Sequence, residues 1–294
     1  MTDIGAARLG HVIRGNHRTG MLAAAICLAV AGSLHAQAMN FTIDGVRRQA
    51  FILAPANASR STERLPLLFA FHGHGGNMIQ TAAQMRFDKV WPEAIVIYMQ
   101  GLPTKTGGDP SGNEPGWQQE PGQFADRDLK FFDAVLAAVR KALPVDDKRV
   151  YATGFSNGGV FTYLLWGTRA KTFAALAVVA AEKFPGVHLS VPIPFLQIAG
   201  EQDENVPFQR QLDSMALARE VDGGSDSGES CGEDCTAYRS SRGTPVVTYI
   251  VPAGHVYPHY ASEAIVEFFK QHSRAEIEPG GALPARDAST KPSR

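Results

Sequence analysis

Short apolar runs alternate along the chain with segments of helical spacing. The apolar runs lie at residues 65–71, 94–98, 149–152, 173–179 and 193–198. Such runs are typical of strands buried on both faces of a parallel sheet. Between two of them, residues 128–143 carry apolar side chains on one helical face, which predicts a helix. Asp126 and Asp128 lie at the start of this predicted helix and are expected to cap it. Strands alternating with helices predict a doubly wound, mostly parallel α/β sheet.

Other patterns flank this region. Residues 40–53 alternate around a turn at Asp44 and Gly45, which predicts an N-terminal β-hairpin. Residues 222–244 are small, polar and rich in glycine, and they predict an exposed loop. Residues 246–251 then predict a further strand, and residues 262–272 predict an amphipathic closing helix.

The two ends of the chain differ in character from the predicted domain. Residues 1–20 contain three arginines and one acid, and residues 21–31 carry no charge, a run shorter than the roughly 20 residues of a membrane span. The small residues Ala36 and Ala38 then predict a signal peptide over residues 1–38 and a secreted or periplasmic protein. A retained anchor or a short buried helix is the alternative. Residues 274–294 predict a disordered tail.

Composition narrows the choice of function. The chain has 294 residues, of which 44% are hydrophobic, enough for one domain, predicted over residues 39–273, to bury its own core. With 28 Lys and Arg against 29 Asp and Glu, it offers no basic surface for nucleic acid, which is excluded as a partner. Cys231 and Cys235 remain after signal removal, and an oxidising compartment would favour a disulfide between them.

A candidate nucleophile lies between a predicted strand and a predicted helix. Residues 154–158 (GFSNG) have the Gly-x-Ser-x-Gly spacing, in which glycines permit a sharp strand-to-helix turn around Ser156. The spacing alone is a weak signal, but the preceding run at residues 149–152 and the helical pattern at residues 160–166 supply the expected context. Ser156 is therefore predicted to be a catalytic nucleophile rather than an ordinary helix cap.

A serine nucleophile requires a base and an acid that orients the base. Asp203 follows the run at residues 193–198, and His255 follows the last predicted strand. The chain order Ser156, Asp203, His255 is the one expected of an α/β-hydrolase. Other nearby residues could take these two roles: for the acid Glu201, Glu204 or Asp213, and for the base His259.

Residues 72–76 (HGHGG) follow the run at residues 65–71 and predict a glycine-rich turn that aims backbone N–H groups at an oxyanion. The first donor is the N–H of His74 or of Gly75, with His74 preferred, and Asn157 N–H is the second. The histidine side chains are expected to form local hydrogen bonds. A metal site formed by His72, His74 and His255 is the alternative to the prediction of no metal and no cofactor.

These motifs together resemble a known family. From about residue 40 to 272, the chain is similar to secreted α/β-hydrolase esterases grouped as polyhydroxybutyrate depolymerases and feruloyl esterases. The resemblance is carried by residues 72–76, 154–158, 200–203 with 206–207, and 254–258 (GHVYP). It implies a Ser-His-Asp carboxylic ester hydrolase that needs no metal. Tyr257 stands where the family usually has Trp, and we expect Tyr257 and Trp117 to contact the substrate; simple packing is the alternative for Trp117.

The predicted function is a secreted serine esterase for hydroxycinnamoyl or hydroxyalkanoate esters and oligomers. The short spacing between residues 173–179 and 193–198 leaves no room for a large cap domain, so the cleft is expected to be open. No stable membrane anchor is expected, and the sequence leaves the oligomeric state open. A serine peptidase of the same fold and a non-catalytic secreted binding protein are the alternatives.

Overall fold

The computed structural model describes residues 36–225 and 227–274. The strands are β1 (Gln37–Ile43), β2 (Val46–Leu53), β3 (Leu65–Phe71), β4 (Ile95–Met99), β5 (Leu102–Pro103), β6 (Pro115–Gly116), β7 (Val145–Phe155), β8 (Ala175–Val179), β9 (Phe195–Gly200), β10 (Glu229–Gly232), β11 (Cys235–Tyr238) and β12 (Val246–Val251). The α-helices are α1 (Met78–Met85), α2 (Phe87–Val90), α3 (Arg127–Ala142), α4 (Asn157–Arg169), α5 (Phe208–Asp222) and α6 (Ala261–Lys270). Short 3₁₀ helices occupy Ala58–Arg60, Gln123–Asp126 and Ala170–Thr172.

The two terminal predictions fall largely outside the described residues. Strand β1 begins at Gln37 and therefore includes the last two residues of the predicted signal peptide, whose first 35 residues are not described. Of the predicted tail, only Arg274 is described. In the part of the chain that the structure describes, no helix is both long and apolar enough to cross a bilayer.

A ten-stranded sheet forms the centre of the fold, in the order β1-β2-β4-β3-β7-β8-β9-β12-β11-β10. The strands from β4 to β12 in this order are parallel, while β1 and β2 at one edge and β10 and β11 at the other are antiparallel. The predicted N-terminal hairpin and the doubly wound, mostly parallel sheet are therefore confirmed. Residues 180–194 join β8 to β9, and no large cap domain is inserted within the described ranges.

The sheet is buried on both faces because β3 and its neighbours alternate their side chains between two cores. Leu67, Phe69 and Phe71 pack into the core that includes residues of α3 and α4. Leu68 and Ala70 point the other way, into the core that includes residues of α1, α2 and α6. Two-sided burial explains why the sequence of β3 is a continuous apolar run.

The segment predicted as an exposed loop, residues 222–244, is largely exposed but contains β10 and β11, so the prediction of a loop is wrong. Strand β11 pairs with β12, and β10 then pairs with β11, so the hairpin widens the sheet at its edge. Cys231 and Cys235 form a disulfide across the turn of this hairpin. An edge hairpin of small polar residues buries little apolar surface, and its sequence therefore has no strand-like alternation to detect.

The acids at the start of α3 do not cap it, contrary to the prediction. Asp128 is fully buried and accepts a hydrogen bond from Arg48 Nη2 at 2.7 Å and from Gln118 N–H at 2.8 Å. Asp126 accepts from the Gln118 side chain and from Gly122 N–H. Because Arg48 lies in β2 and is itself buried, this ion pair attaches the N-terminal hairpin to α3 and to the segment that contains Gln118.

A second buried acid, Asp222, ends α5 and is not paired with a cation by any contact within the described residues. Its Oδ1 accepts a hydrogen bond from Ile193 N–H at 2.8 Å, whereas its Oδ2 has no hydrogen-bond partner among the described residues. Burial disfavours the charged form and raises the pKa of Asp222 to about 8. The folded protein therefore keeps a proton that the unfolded chain releases.

Replacing Asp222 with asparagine is expected to flatten the dependence of stability on pH. The pKa of Asp222 is about 8 in the folded protein and 3.8 for the free group. The contribution of this shift to the free energy of unfolding is therefore complete below about pH 4 and is lost as the pH rises towards 8. The wild-type free energy of unfolding should fall relative to that of Asp222→Asn by up to about 1.4 kcal/mol per pH unit in this window. Urea unfolding of both proteins at several pH values between 5 and 8 measures the difference. Parallel curves would contradict a buried, protonated Asp222.

Candidate active site

Ser156 lies at a sharp turn between β7 and α4. Its backbone has φ 54° and ψ −123°, a conformation that non-glycine residues rarely adopt and that is often found at functional sites. A Cβ at Gly154 would lie 2.2 Å from the backbone of Gly158, and one at Gly158 would lie 2.4 Å from the carbonyl oxygen of Phe71. Both glycines of the Gly-x-Ser-x-Gly sequence are thus required by close backbone contacts around the serine.

The three residues predicted from separate strand ends meet in one hydrogen-bonded chain. Ser156 Oγ lies 2.9 Å from Nε2 of His255, and His255 Nδ1 lies 2.8 Å from Oδ2 of Asp203. Because a carboxylate only accepts hydrogen bonds, Nδ1 carries the proton and donates it to Asp203. Nε2 is then free to accept the hydrogen bond of the serine hydroxyl. This geometry fits a nucleophile, a base and an orienting acid.

The surroundings of Asp203 distinguish it from the other candidate acids. Its side chain is fully buried, and Oδ1 accepts hydrogen bonds from the N–H groups of Asn205 and Val206, each at 2.9 Å. Oδ2 accepts a further bond from Gln211 Nε2 at 3.0 Å. These donors hold the carboxylate in the position from which it accepts the hydrogen bond of His255.

The rival acids and the rival base contact other parts of the chain. Glu201, Glu204 and Asp213 are exposed, and Asp213 accepts a hydrogen bond from Gln209 of its own helix. His259 is exposed and packs against Tyr260. Neither ring nitrogen of His259 has a hydrogen bond to a described residue, so the structure offers it no orienting acid.

The glycine-rich turn at residues 72–76 lies directly against the serine turn. A Cβ at Gly73 would lie 3.4 Å from Cβ of Ser156. His72 is buried and fixes the turn with both ring nitrogens: Nε2 accepts from Gly101 N–H at 2.9 Å, so Nδ1 donates to the carbonyl oxygen of Gly73 at 2.7 Å. Burial lowers the pKa of His72 to about 4, so this ring is neutral at physiological pH.

The hydrogen bonds of this turn separate the two candidate oxyanion donors. Gly75 N–H donates to the carbonyl oxygen of Pro115 at 2.8 Å and is therefore occupied. No hydrogen bond to another described residue engages the N–H of His74. The N–H of Asn157, at the first position of α4, likewise has no partner among the described residues. The turn at residues 72–76 and the start of α4, which both adjoin Ser156, thus each contain an N–H group with no partner among the described residues.

Trp117 does not contact a cleft, and the prediction that it binds substrate is wrong. Its side chain has no exposed surface, its ring stacks on Phe161, and its Nε1 donates to the carbonyl oxygen of His72 at 2.9 Å. Asn157 holds its backbone from the other side, because Oδ1 accepts from Trp117 N–H at 2.7 Å and Nδ2 donates to Trp117 O at 3.2 Å. Trp117 therefore stabilises the glycine-rich turn through its hydrogen bond to the carbonyl oxygen of His72.

Tyr257 is half-buried beside the site. Its hydroxyl bonds Ser262 Oγ at 2.8 Å, and Ser262 in turn donates to the carbonyl oxygen of Met85. Its ring meets Phe155 edge to face, and Phe155 packs on the ring of His255 at a centroid distance of 5.0 Å. The phenol is thus engaged within the protein, and a substrate contact by Tyr257 would have to involve its ring.

The candidate metal ligands have other partners. His72 uses its ring nitrogens on Gly73 of its own turn and on the N–H of Gly101, and His74 Nε2 lies 3.2 Å from Oδ2 of Asp109. In the two described ranges, no group of three or more His, Cys, Asp or Glu side chains is arranged to hold a metal ion. Of these hydrogen bonds only that between His72 and Gly73 is local, and the other two reach Gly101 and Asp109.

Gln211 is a residue of the site that the sequence analysis missed. It lies in α5, is fully buried, and donates from Nε2 to Asp203. A signal was available, since Gln211 is a polar residue that shares one helical face with the buried residues Met215 and Ala218. No motif links it to Asp203, however, and only the fold brings the two side chains together.

Known proteins similar to this chain include several esterases. No protein-family model matches the sequence. "Probable feruloyl esterase C" of Aspergillus clavatus is 34% identical over 148 residues, which are 48% of this chain and 50% of that protein. "Feruloyl esterase C" of Emericella nidulans is 32% identical over the same shares. The chain thus spans about half the length of the curated relatives it matches.

Solved structures extend the similarity over most of the fold. The acetyl xylan esterase from Aspergillus awamori superposes with a TM-score of 0.58, covering 80% of this chain and 98% of that one at 14% identity. At this identity the match demonstrates a shared fold and nothing finer. The chain thus has the fold of these solved esterases, the α/β-hydrolase fold, and is similar to feruloyl esterases over about half of its sequence.

Proposed function

We propose that this protein is a serine carboxylic ester hydrolase that acts on hydroxycinnamoyl esters of the feruloyl type. The observation that carries the proposal is the unbroken chain of hydrogen bonds from Ser156 through His255 to Asp203, at 2.9 Å and 2.8 Å. Each member comes from the carboxyl end of a different strand, where open α/β sheets bind their ligands. A structural role alone would not require the strained backbone of Ser156.

In the proposed mechanism, Ser156 Oγ attacks the ester carbonyl carbon while His255 Nε2 takes its proton. Asp203 holds the imidazole with Nδ1 protonated and stabilises the imidazolium that forms. The N–H groups of His74 and Asn157 stabilise the oxyanion, because both are unoccupied and fixed before the reaction begins. His255 then protonates the leaving alcohol, and water, activated by the same histidine, hydrolyses the acyl-enzyme.

The names of the sequence relatives favour a feruloyl acyl group, and the curated relatives include feruloyl esterases from several fungi. The short connection between β8 and β9 supports an open cleft that admits a bulky aromatic acyl group or the oligomer attached to it. Hydroxyalkanoate esters of similar bulk are the second class of substrate in this proposal. We also propose export to the cell exterior or the periplasm, where such esters and the Cys231–Cys235 disulfide are both expected.

The test is a panel of substrates offered in parallel to the purified protein. Methyl ferulate, p-nitrophenyl acetate, a hydroxybutyrate oligomer and a peptide p-nitroanilide represent the possible acyl groups and bonds. We expect hydrolysis of methyl ferulate with the highest kcat/KM, and covalent labelling of Ser156 by a fluorophosphonate, located by peptide mass spectrometry. Hydrolysis of the peptide alone would replace the proposal with a peptidase, and a folded protein that neither turns over nor becomes labelled would support a binding protein.

A further inference from the structure

Gln211 is positioned to act on the catalytic acid while remaining out of reach of the substrate. It is fully buried in the first turns of α5, and its Nε2 lies 3.0 Å from Oδ2 of Asp203 and 2.8 Å from the carbonyl oxygen of Val206. Oδ2 is the same oxygen that accepts the hydrogen bond of His255. Gln211 therefore shares the carboxylate oxygen that orients the base.

Only one orientation of the Gln211 amide satisfies its surroundings. Both groups that face it, Asp203 Oδ2 and Val206 O, are acceptors, so the NH₂ group must point at them. A flipped amide would place an oxygen against two oxygens. In the observed orientation, Oε1 has no hydrogen-bond partner among the described residues. The two acceptors that face the NH₂ group therefore set the orientation in which Gln211 donates to Asp203.

Every oxygen position of Asp203 is consequently fixed. Two backbone N–H groups hold Oδ1, whereas Oδ2 is held by Gln211 on one side and by His255 on the other. Without Gln211, the carboxylate could rotate about the two hydrogen bonds at Oδ1. Because Oδ2 accepts the hydrogen bond of His255, this rotation would displace the imidazole. A misplacement of about 1 Å at a reacting group can lower the rate about 100-fold.

We propose that Gln211 is a positioning residue of the catalytic machinery, which fixes the plane of the Asp203 carboxylate and through it the orientation of His255. This inference rests on the proposed esterase function. Gln211 does not touch substrate, so its loss should lower kcat and leave KM nearly unchanged.

The experiment compares Gln211→Met, which keeps the length of the side chain but cannot donate, with Gln211→Glu, which keeps its shape. For Gln211→Met we expect a loss in kcat of about 10- to 100-fold with KM within about twofold. For Gln211→Glu, the introduced carboxyl faces the oxygens of Asp203 and Val206, so it must be protonated to occupy the site, and it can then donate to Asp203. The ratio of its kcat to that of the wild type should therefore be highest at low pH and fall as the pH rises and the introduced carboxyl ionises. Gln209→Glu, exposed on the same helix, introduces the same side chain as a control and should leave the pH profile in place.

A spectroscopic measurement separates this inference from the proposed function. The proton on Nδ1 of His255, hydrogen-bonded to Asp203, should give a low-field ¹H NMR signal in the wild type, and Gln211→Met should shift or broaden it. If the wild type shows this signal but has no esterase activity, the proposed function is wrong. The effect of Gln211→Met on the signal then still tests the positioning role of Gln211. Wild-type kcat together with an unchanged signal in Gln211→Met would overturn the inference, and if that variant does not fold, the Gln211→Glu pH profile decides.

Discussion

Replacement of Ser156 with alanine is expected to lower kcat/KM for ester hydrolysis by about 10⁴- to 10⁶-fold, because members of a triad act as a unit. The change removes one oxygen, the atom that lies 2.9 Å from His255 Nε2. Alanine tolerates the positive φ of this position no worse than serine does, and the contacts of Gly154 and Gly158 are unaffected. A residual rate should remain, since the oxyanion N–H groups belong to the backbone.

The measurement is a progress curve with p-nitrophenyl acetate at enzyme concentrations high enough to detect the residual rate. Near-UV circular dichroism of the variant should match the wild type. Ser241→Ala, which removes the hydroxyl of an exposed serine, is the matched control and should retain full activity. If Ser156→Ala kept more than about a tenth of the wild-type rate, another residue would have to be the nucleophile.

The sequence predicts the triad because each of its members depends on local order along the chain. Ser156, Asp203 and His255 each follow an apolar strand, and the carboxyl ends of parallel strands lie at one edge of a sheet. Knowledge of the strands was therefore enough to bring the three side chains together. The glycine at 154 could be interpreted for the same reason, because its close contact is with the backbone of Gly158 in the same turn, whereas Gly158 contacts Phe71 of a different strand.

The supporting contacts could not be predicted, because they join residues far apart in the chain. Asp128 was interpreted as a helix-capping acid, but its partner Arg48 lies 80 residues earlier in β2. Trp117 is predicted to contact substrate, but its ring packs on Phe71 and Phe161, and its backbone is hydrogen-bonded by the side chain of Asn157, 40 residues later. A polar residue in a loop has the same local sequence signature whether it faces solvent or a buried partner. Only the packing of the whole fold distinguishes the two cases.

The contrast also explains the mistaken loop at residues 222–244. Central strands such as β3 are identified by their apolar side chains, because both faces are buried. Strand β11 owes its position to backbone pairing with β12, and β10 to pairing with β11, and backbone groups are the same in every sequence. Edge strands of this kind are specified by their neighbours more than by their own residues.

Replacement of Asp203 with asparagine is expected to lower kcat by about 10⁴-fold, with the protein still folded. The structure gives a specific reason, beyond the loss of charge. Two backbone N–H groups at 2.9 Å converge on Oδ1, so the oxygen of the introduced amide must occupy that position. Its NH₂ group then faces His255 Nδ1 at the position of Oδ2. Two donors cannot share this contact, and His255 must move its proton to Nε2.

A histidine protonated at Nε2 cannot accept the proton of Ser156, so the loss arises from the wrong tautomer. Gln211 would face the same NH₂ group and lose its bond to the acid as well. Asp213→Asn is the matched control, because Asp213 is an exposed acid of the nearby helix and was a rival for this role in the sequence. It should retain nearly full kcat. Comparable losses in Asp203→Asn and Asp213→Asn would indicate a general effect of charge, whereas a loss confined to Asp203→Asn identifies the residue that sets the tautomer of the catalytic base.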